Sequence, residues 1–374
     1  MTKSIRAWVE IDLAAIVQNA RRFQQVAGVP LLPMVKADAY GLGATAVVRA
    51  LESVDPWGYG VATSDEGAAL RTAGIDRPIV VFTPLQAADV AELRTHRLRP
   101  VIGDLAALEA WTVESGDPFH IEIDTGMSRA GFRWHDEESI SALAERLPGL
   151  PGWEGIFTHF HSADSDDHST EEQLQRFDEV LTQIGARPKF VHMASSAAVE
   201  LPGDLGGDLA RPGIFLYGGK AGKLEPLPVA KLCGRVVALR RLRAGDTVSY
   251  GAEALVEVDT TIATIGIGYA DGVPRSLGNR GLVELGGVVV PIVGRVTMDM
   301  IMVDAEDIEV SLGDVATLFG GLVTLDDQAA LAGTISYELL TMLSPRVERR
   351  YAGEEGRGKR EEGRGKIRRI ASSE

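Results

Sequence analysis

A chain of 374 residues, 45% of them hydrophobic, is too long for one ordinary core and has enough apolar residues for two packed domains. The formal net charge of -15 argues against nucleic acid or an anionic membrane as the main partner, because both favour clustered Lys and Arg. The single Cys233 excludes an internal disulfide framework. We found neither a signal-peptide pattern at the start nor an apolar run near the roughly 20 residues that cross a bilayer, and therefore expect a cytoplasmic enzyme with a small-molecule substrate.

The first 220 residues alternate strand-like and helix-like segments. One helical segment has Thr63 and Glu66 at the spacing of a capping box and Gly74 at its predicted end. Eight such alternations predict an α/β fold, a (β/α)8 TIM-type barrel. The eight candidate strands are LLPMV (31–35), WGYGVA (57–62), IVVF (79–82), RPVI (99–102), FHIEID (119–124), GIFTHF (155–160), KFVHM (189–193) and GIFLYG (213–218).

Beyond about residue 230 the pattern changes to strand-like runs separated by Gly-rich turns, such as RVVALRRL and TIATIGIGYA. This change of pattern predicts a barrel domain over 1–230 and a mostly β domain over 231–352. The residues before about 30 are expected to pack partly against the second domain. The segment 353–374, in which EEGRGK occurs twice, has almost nothing apolar to bury and is predicted to be a disordered charged tail.

The run PMVKADAYGLG places Lys36 at the carboxyl end of the first predicted strand, where barrel active sites are built. Partial burial there would lower the pKa of the lysine and free its amine to attack an aldehyde. A lone lysine is more often a solvated surface charge. The run, however, resembles the signature of alanine racemases, and so do DTGMSRAGF, THF, RPGIFLYG, VSYGAE, GYADGVPR and GRVTMDM, in the same order.

The resemblance implies a pyridoxal-phosphate-dependent racemase that interconverts L-alanine and D-alanine and supplies D-alanine for peptidoglycan. Lys36 would hold the cofactor and act as one catalytic base, and Tyr250 would be the other. Racemisation removes a proton from one face of a planar carbon and returns one to the other, so it needs groups on both sides. In this family the tyrosine comes from the partner subunit, which implies a homodimer with composite active sites.

The resemblance also assigns residues to the cofactor and the substrate. Arg211 would face the pyridine nitrogen, which stays unprotonated because a guanidinium does not give up its proton, and His159 would orient Arg211 by a hydrogen bond. Arg129 would contact the cofactor's phenolic oxygen and the substrate carboxylate. The phosphate would be bound by Tyr40, Ser196 and the backbone N–H groups of Gly213 and Ile214, while Met298 and Asp299 of the partner shape the substrate pocket and Tyr269 lines its entrance.

Two positions depart from the family pattern. Some members carry a carbamylated lysine where this chain has Glu122, and we expect this carboxylate to stabilise Arg129 without any modification. Many members have a phosphate-binding tyrosine near the end of the β domain, where Pro345 lies close to the expected place. Tyr337 and Tyr351 are nearby in the sequence, but neither is aligned with that role.

Other functions remain open at this stage. A serine/alanine racemase of broader specificity differs only in how strictly the pocket excludes a hydroxyl. A related decarboxylase would need a catalytic cysteine, for which Cys233 lies in the wrong context, and a noncatalytic cofactor-binding barrel would lack the second domain. A metal-dependent barrel hydrolase is the strongest alternative, because THFHSADSDDH offers His159, His161, Asp164, Asp166 and His168 as ligands. We nevertheless predict no metal, because that class carries its His pair on the first strand.

Overall fold

The structure, a computed structural model, describes residues 5–113, 116–164, 168–200 and 207–352. The tail predicted at 353–374 lies outside these ranges. Within them the chain forms a curled parallel sheet and a second, mostly antiparallel sheet. None of the helices in the described ranges combines the length and the apolar character needed to cross a membrane.

The parallel sheet curls into a half-barrel of six strands in the order β2, β3, β4, β5, β7 and β8, and the short β6 pairs with β5. Its strands are mostly continuous apolar runs, as expected for a parallel sheet that is covered on both faces. The strands of this half of the chain are β1 (Ala7–Asp12), β2 (Tyr59–Val61), β3 (Ile79–Pro84), β4 (Arg99–Ile102), β5 (Phe119–Asp124), β6 (Phe132–Arg133), β7 (Trp153–Phe157) and β8 (Phe190–His192).

Helices pack around this sheet. They are α1 (Leu13–Ala27), the single helical turn α2 (Lys36–Tyr40), α3 (Ala44–Leu51), α4 (Ser64–Thr72), α5 (Val90–Thr95), α6 (Leu105–Thr112), α7 (Glu137–Arg146) and α8 (Ser169–Ile184). The predicted start of α4 is confirmed, because Thr63 accepts a hydrogen bond from the backbone N–H of Glu66. Gly74 follows its end with φ at +86°.

Two of the eight predicted strands are not continuous strands. In LLPMV only isolated bridges form, Leu31 with Ala210 and Met34 with Gly60, because Pro33 between them has no N–H for a ladder. The run GIFLYG was wrong as a strand: Ile214–Tyr217 is a 3-10 helix. Four consecutive apolar residues fit a buried helix as well as a buried strand.

The second sheet contains eight strands, six of them in the order β14, β13, β16, β9, β1 and β17, with β12 pairing β9 and β15. Most of the strand runs predicted after residue 230 are confirmed. Besides β1, its strands are β9 (Ala230–Leu242), β12 (Thr260–Ile265), β13 (Leu282–Leu285), β14 (Val288–Pro291), β15 (Ile301–Asp304), β16 (Val315–Phe319) and β17 (Glu348–Ala352). A separate hairpin is formed by β10 (Thr247–Val248) and β11 (Ala254–Leu255). The helices of this part of the chain are α9 (Leu325–Ala332) and α10 (Ser336–Thr341).

The first strand of the chain belongs to this second sheet, where β1 pairs with β9 antiparallel and with β17 parallel. The helix α1 that follows packs against α3 and the 3-10 helix at 214–217 on the parallel-sheet side. The fully buried Asn19 secures this crossing point: its amide donates to the carbonyl of Leu227 at 3.0 Å and accepts from the same residue's N–H at 2.8 Å.

Replacing Asn19 with Ala should destabilise the protein by about 1–3 kcal/mol, because the part-buried N–H and carbonyl of Leu227 lose their partners. Urea unfolding followed by circular dichroism measures the change. Gln18→Ala, at an exposed neighbouring position of α1, is the matched control and should change stability by less than about 0.5 kcal/mol. Equal stabilities of the two variants would contradict the role given to Asn19.

Candidate active site

A cavity of about 1040 Å³ opens at the carboxyl ends of the parallel strands, the position typical of barrel active sites. Its wall includes eight of the predicted site residues: Lys36, Tyr40, Arg129, His159, Ser196, Arg211, Gly213 and Ile214. Residues separated by almost two hundred positions in the chain therefore meet around one space. The four predicted residues of the second domain are not part of this wall.

Lys36 begins a turn with unusual backbone geometry. The four residues from Ala37 to Tyr40 all have φ between +53° and +56°, the left-handed region that costs a non-glycine residue about 1–2 kcal/mol. Hydrogen bonds hold the turn, since Glu66 accepts from the N–H of Ala37 at 2.7 Å and from that of Ala62 at 2.7 Å. Strain of this kind collects at functional sites, where the surrounding structure imposes it.

The second sheet holds the other end of the same turn. Arg349 of β17 donates two hydrogen bonds to the carbonyl of Gly41, at 3.0 and 3.1 Å, and others to the carbonyls of Leu343, Ser344 and Val347. This guanidinium therefore ties the residues that follow α10 to the loop that carries Lys36. Neither Glu66 nor Arg349 was expected at the site, although the capping-box spacing had singled out Glu66 for another purpose.

Burial lowers the pKa of Lys36, and the positive charge of Arg129 lowers it further, while Glu66 acts in the opposite direction. A lower pKa leaves more of the amine unprotonated near neutral pH, which is the form that attacks an aldehyde.

Arg129 is held by the loop that follows β5. Asp124, at the end of that strand, accepts hydrogen bonds from the N–H groups of Gly126 at 3.0 Å and Ser128 at 2.9 Å, which folds the chain back toward the cavity. Gly131 closes the loop with φ at +101° against the backbone of Glu122 and Asp124, where a side chain would collide. The hydrogen bonds to Asp124 and the close approach at Gly131 thus set the course of the loop that carries Arg129.

Glu122 lies in the cavity wall, as the sequence suggested for the group that supports Arg129. Burial raises the pKa of its carboxyl, and the charges of Arg129 and Arg211 counteract that rise. The carboxylate is therefore electrostatically coupled to both guanidinium groups of the site. Whether it replaces a carbamylated lysine in function stays a prediction.

Arg211 is almost fully buried beneath the cavity. Its Nη2 donates to the carbonyls of Thr158 at 2.9 Å and Met193 at 3.2 Å and contacts Nδ1 of His159 at 3.4 Å, so the structure contains the predicted contact between His159 and Arg211. Burial lowers the pKa of Arg211 to about 10, with Glu122 opposing, which still leaves the guanidinium charged at neutral pH. Burial, together with this charge, lowers the pKa of His159 to about 3, so His159 is a neutral acceptor.

One end of the cavity collects hydroxyl groups. Tyr40 stacks on Tyr217 with ring centroids 4.6 Å apart, and Gly213 lies so close that a Cβ there would come within 2.5 Å of the Tyr40 hydroxyl. Ser196 accepts a hydrogen bond from the N–H of Gly213 at 2.8 Å. Tyr337 completes the group, with its ring 6.0 Å from that of Tyr40.

Tyr337 corrects the expectation that this region lacks a tyrosine in the site. It is the second residue of α10 and lines the cavity, whereas Pro345 does not. Burial raises the pKa of Tyr337 to about 12 and raises that of Tyr40 further, so both phenols stay protonated and can donate hydrogen bonds. In the sequence, Tyr337 lies eight residues before Pro345, the position close to where the family tyrosine was expected.

Tyr250, Tyr269 and Met298 are exposed on the second domain, with 69%, 43% and 52% of their surface accessible. Tyr250 begins a 3-10 turn, not a strand, after Ser249 with φ at +69°. Tyr269 and Met298 lie on adjacent loops, because the N–H of Tyr269 donates to the carbonyl of Thr297 at 3.0 Å. The single chain therefore does not bring these residues to the cavity that contains Lys36.

Asp299 lies beside these loops and is engaged by charge. Its carboxylate accepts a hydrogen bond from Arg346 at 2.6 Å and lies 4.0 Å from the guanidinium of Arg6. Both arginines also approach the buried Asp271, so the loops that carry Tyr269 and Met298 are joined to the start and the end of the chain. This network presents a rigid exposed surface.

The residues proposed for a metal do not form a cluster in the part of the chain that the structure describes. No group of three or more His, Cys, Asp or Glu residues there is arranged to hold an ion. His161 contacts the hydroxyl of Ser162 at 2.6 Å, and Asp166 lies outside the described residues.

Replacing Arg129 with Gln should raise the pKa of Lys36, because one of the charges that lowers it is removed. The amine then loses its proton only at higher pH, and its reaction with a small aldehyde near neutral pH should slow severalfold. Borohydride trapping over a pH series, followed by peptide mass spectrometry, measures the midpoint. Arg133→Gln, on the exposed side of the same loop, is the control; a midpoint shared by both variants would contradict the effect of Arg129.

Comparison with known proteins identifies relatives of this arrangement. The family model "Alanine racemase, N-terminal domain" matches residues 11–221, and "Alanine racemase, C-terminal domain" matches residues 229–351. An alanine racemase from Nostoc sp. is 36% identical, over 92% of this chain and 96% of that protein. One from Deinococcus radiodurans is 39% identical, over 92% of this chain and 99% of that protein.

Solved structures agree with these matches. The alanine racemase from Streptomyces coelicolor superposes with a TM-score of 0.88 at 32% identity, covering 94% of this chain and 99% of that one. The alanine racemase from Bartonella henselae, solved with covalently bound pyridoxal phosphate, gives a TM-score of 0.87 at 31% identity, covering 93% of this chain and 99% of that one.

Proposed function

Because this chain belongs to the alanine racemase family, we propose that it interconverts L-alanine and D-alanine with pyridoxal 5'-phosphate as its cofactor. The observation that carries the proposal is the joint placement of Lys36, Arg129 and Arg211 around one cavity with a cluster of protonated hydroxyl groups at its end. A broader serine/alanine specificity is the alternative, since a small apolar pocket rejects an added hydroxyl weakly.

The residues present fit this cofactor. Lys36 offers a half-buried amine of lowered pKa, and Tyr40, Ser196 and Tyr337 offer neutral donors for a phosphate. Arg211 offers a charged donor for the pyridine nitrogen. When bound, pyridoxal phosphate supplies an aldehyde for the lysine amine and a conjugated ring that stabilises negative charge at the substrate α-carbon. We infer that the N–H groups of Gly213 and Ile214 add to the phosphate site.

The protein's own groups then have distinct tasks. Arg129 binds the substrate carboxylate by charge and by its planar fork of donors. Lys36 removes or returns a proton at the α-carbon from one face. Arg211 keeps its proton and so does not protonate the pyridine nitrogen, which favours simple return of a proton to the α-carbon. His159 holds Arg211 in place as a neutral acceptor.

The opposite face needs a second base, and we infer that Tyr250 of the partner subunit supplies it in a homodimer. The support is that Tyr250 is largely exposed and absent from the cavity of its own chain, together with Tyr269, Met298 and Asp299. Met298 and Asp299 would shape the substrate pocket and Tyr269 its entrance. Leu255 and Val258, which follow Tyr250 in the chain, are also exposed apolar residues, as expected for a subunit contact.

Three further proposals accompany this function. We infer that the half-barrel closes through the region of Leu31 and Arg211, supported by hydrogen bonds from Leu32 to Ala210 at 2.8 Å and from Arg211 to Ala194 at 2.9 Å. We infer a barrel domain over 1–230, apart from β1, and a β-rich domain over 231–352. The D-alanine formed would serve peptidoglycan synthesis in the cytoplasm.

Purified protein with pyridoxal phosphate and L-alanine in heavy water should form D-alanine that carries deuterium at the α-carbon. Lys36→Ala and Tyr250→Phe should each lower the rate at least about a hundredfold, because each removes the group that exchanges a proton on one face. Chiral chromatography with mass spectrometry measures both products. Isotope exchange without inversion in the wild type would show that one face lacks a base, and exchange on serine but not alanine would favour the alternative substrate.

Mixed dimers test where Tyr250 acts. When Lys36→Ala and Tyr250→Phe chains carry different tags and are co-expressed, the doubly tagged dimer contains one site with both native groups only if Tyr250 crosses the interface. It should then keep about half of the wild-type activity, because one of two sites is intact. The singly tagged dimers are the inactive controls. An inactive mixed dimer, or an active monomer in sedimentation, would contradict the composite site.

A further inference from the structure

A line of buried polar groups runs from Arg211 through the interior of the half-barrel. Nη1 of Arg211 donates to Nδ1 of His192 at 2.7 Å, and Nε2 of His192 lies 2.9 Å from Nδ1 of His120. Nε2 of His120 lies 3.5 Å from Oε2 of Glu154 without completing a hydrogen bond, and the same oxygen accepts a hydrogen bond from Nε of Arg99 at 2.6 Å. Both histidines are completely buried.

We propose that His120 and Glu154 are positioning residues that orient Arg211 through His192. This inference rests on the proposed function only for the task of Arg211, because the hydrogen-bond line itself is independent of any cofactor. None of the motifs that relate this chain to its family includes Glu154 or Arg99.

The chemistry at the two ends fixes every hydrogen in the line. A guanidinium can only donate, so Nδ1 of His192 must accept and its hydrogen must lie on Nε2. That hydrogen points to Nδ1 of His120, which places the hydrogen of His120 on Nε2, facing Glu154. A carboxylate can only accept. Each ring therefore has one tautomer, with the donated hydrogens directed from Arg211 toward the charge of Glu154.

The charges agree with this arrangement. Burial, with the charge of Arg211, lowers the pKa of His192 well below its ordinary value, and burial also lowers that of His120, so both rings stay neutral and keep one hydrogen each. Burial alone would raise the pKa of Glu154, but the neighbouring His120 ring and the hydrogen bond from Arg99 lower it to about 2. The far end of the line is therefore an ionised carboxylate at neutral pH.

The strands place these groups at different depths. Arg99 begins β4 and Glu154 is the second residue of β7, so both lie at the amino ends of their strands, opposite the cavity. His192 ends β8 next to the cavity floor. Gly155 makes the His120 ring's place possible, because a Cβ at Gly155 would overlap Nδ1 of His120. The line thus connects the amino ends of the parallel strands with the cavity at their carboxyl ends.

Aromatic rings limit the movement of the line. Phe157 stacks on His192 at 4.9 Å with an interplanar angle of 15°, and the guanidinium of Arg211 lies 5.1 Å from the Phe157 ring. Trp57 contacts the ring of His120 at 5.7 Å. Because these rings confine His192, the loss of its acceptor at His120 leaves a buried N–H unpaired next to the ring that holds Arg211.

The test uses the holoenzyme and three variants. His120→Leu removes the acceptor for the Nε2–H of His192, whereas His120→Asn keeps an acceptor near the position of Nδ1. Glu154→Gln replaces the carboxylate, which can only accept, with an amide that can also donate. Glu306→Gln is the control, because Glu306 also pairs with an arginine, Arg241, but at an exposed site on the second domain. Thermal unfolding of all four proteins records the stability of each variant.

Nitrogen–proton NMR of histidine-labelled protein reads the tautomers directly. We expect His120 and His192 of the wild type to carry their hydrogen on Nε2 only. Because Arg211 still donates to Nδ1 of His192 in every variant, His192 keeps this tautomer. In His120→Leu, however, its Nε2–H loses the acceptor, so that proton resonance should move upfield, and His120→Asn should restore it. In Glu154→Gln the Nε2 proton resonance of His120 should move in the same direction. The value of kcat should fall about tenfold in His120→Leu and Glu154→Gln, with KM changed less than about twofold, and His120→Asn should recover most of it.

A purely structural role gives a different result. If kcat and the Nε2 proton resonance of His192 match the Glu306→Gln control while the melting temperature falls, the proposal is overturned. If His120→Leu does not fold, Glu154→Gln and His120→Asn decide the question alone. Wild-type tautomers as expected in a protein without racemase activity would contradict the proposed function but leave the line intact, so the two failures can be told apart.

Discussion

Four consecutive left-handed residues immediately after Lys36 are the constraint on which the rest of the site depends. No local preference of Ala37, Asp38 or Ala39 favours this conformation, so neighbouring parts of the fold must impose it. Glu66 does so from α4 on the parallel sheet and Arg349 from β17 on the other sheet. The lysine is therefore aimed by both sheets together, and neither sheet alone would fix the geometry of its loop.

The charge distribution of the cavity follows a simple division. Positive charge is placed on Lys36, Arg129 and Arg211, while the hydroxyl end uses phenols that stay neutral. The protein as a whole carries a net charge of -15, so this cluster of cationic groups stands against an acidic background. Such a cluster concentrates the attraction for an anionic ligand at one place.

Local patterns predicted the elements whose structure is decided locally. The apolar runs of β3, β4 and β5, the cap at Thr63 and the strand-rich second half were all accessible in this way. The barrel residues that the family motifs singled out line one cavity, and His159 contacts Arg211 as expected. The run at 214–217 became a 3-10 helix because four apolar residues have no period that separates helix from strand.

The residues that were missed act over long distances in the chain. Glu66 binds a backbone group 29 positions earlier, and Arg349 binds one 308 positions earlier. Contacts of this kind produce no periodic pattern in the sequence, because they depend on how distant parts of the chain pack together. Tyr337 differs, because it lies only eight residues before Pro345 in the sequence, and only the fold shows that it lines the cavity.

The pairing of β1 with β17 has a consequence for the order of events during synthesis. Trp8 lies opposite Glu348 and Asp12 opposite Ala352, so β1 pairs with a strand that is synthesised more than three hundred residues later. This edge of β1 stays unpaired until then, and the hydrogen bonds from Arg349 to the Lys36 loop cannot form earlier. The parallel sheet can therefore collapse during translation, but Lys36 reaches its final orientation only after β17 has been made.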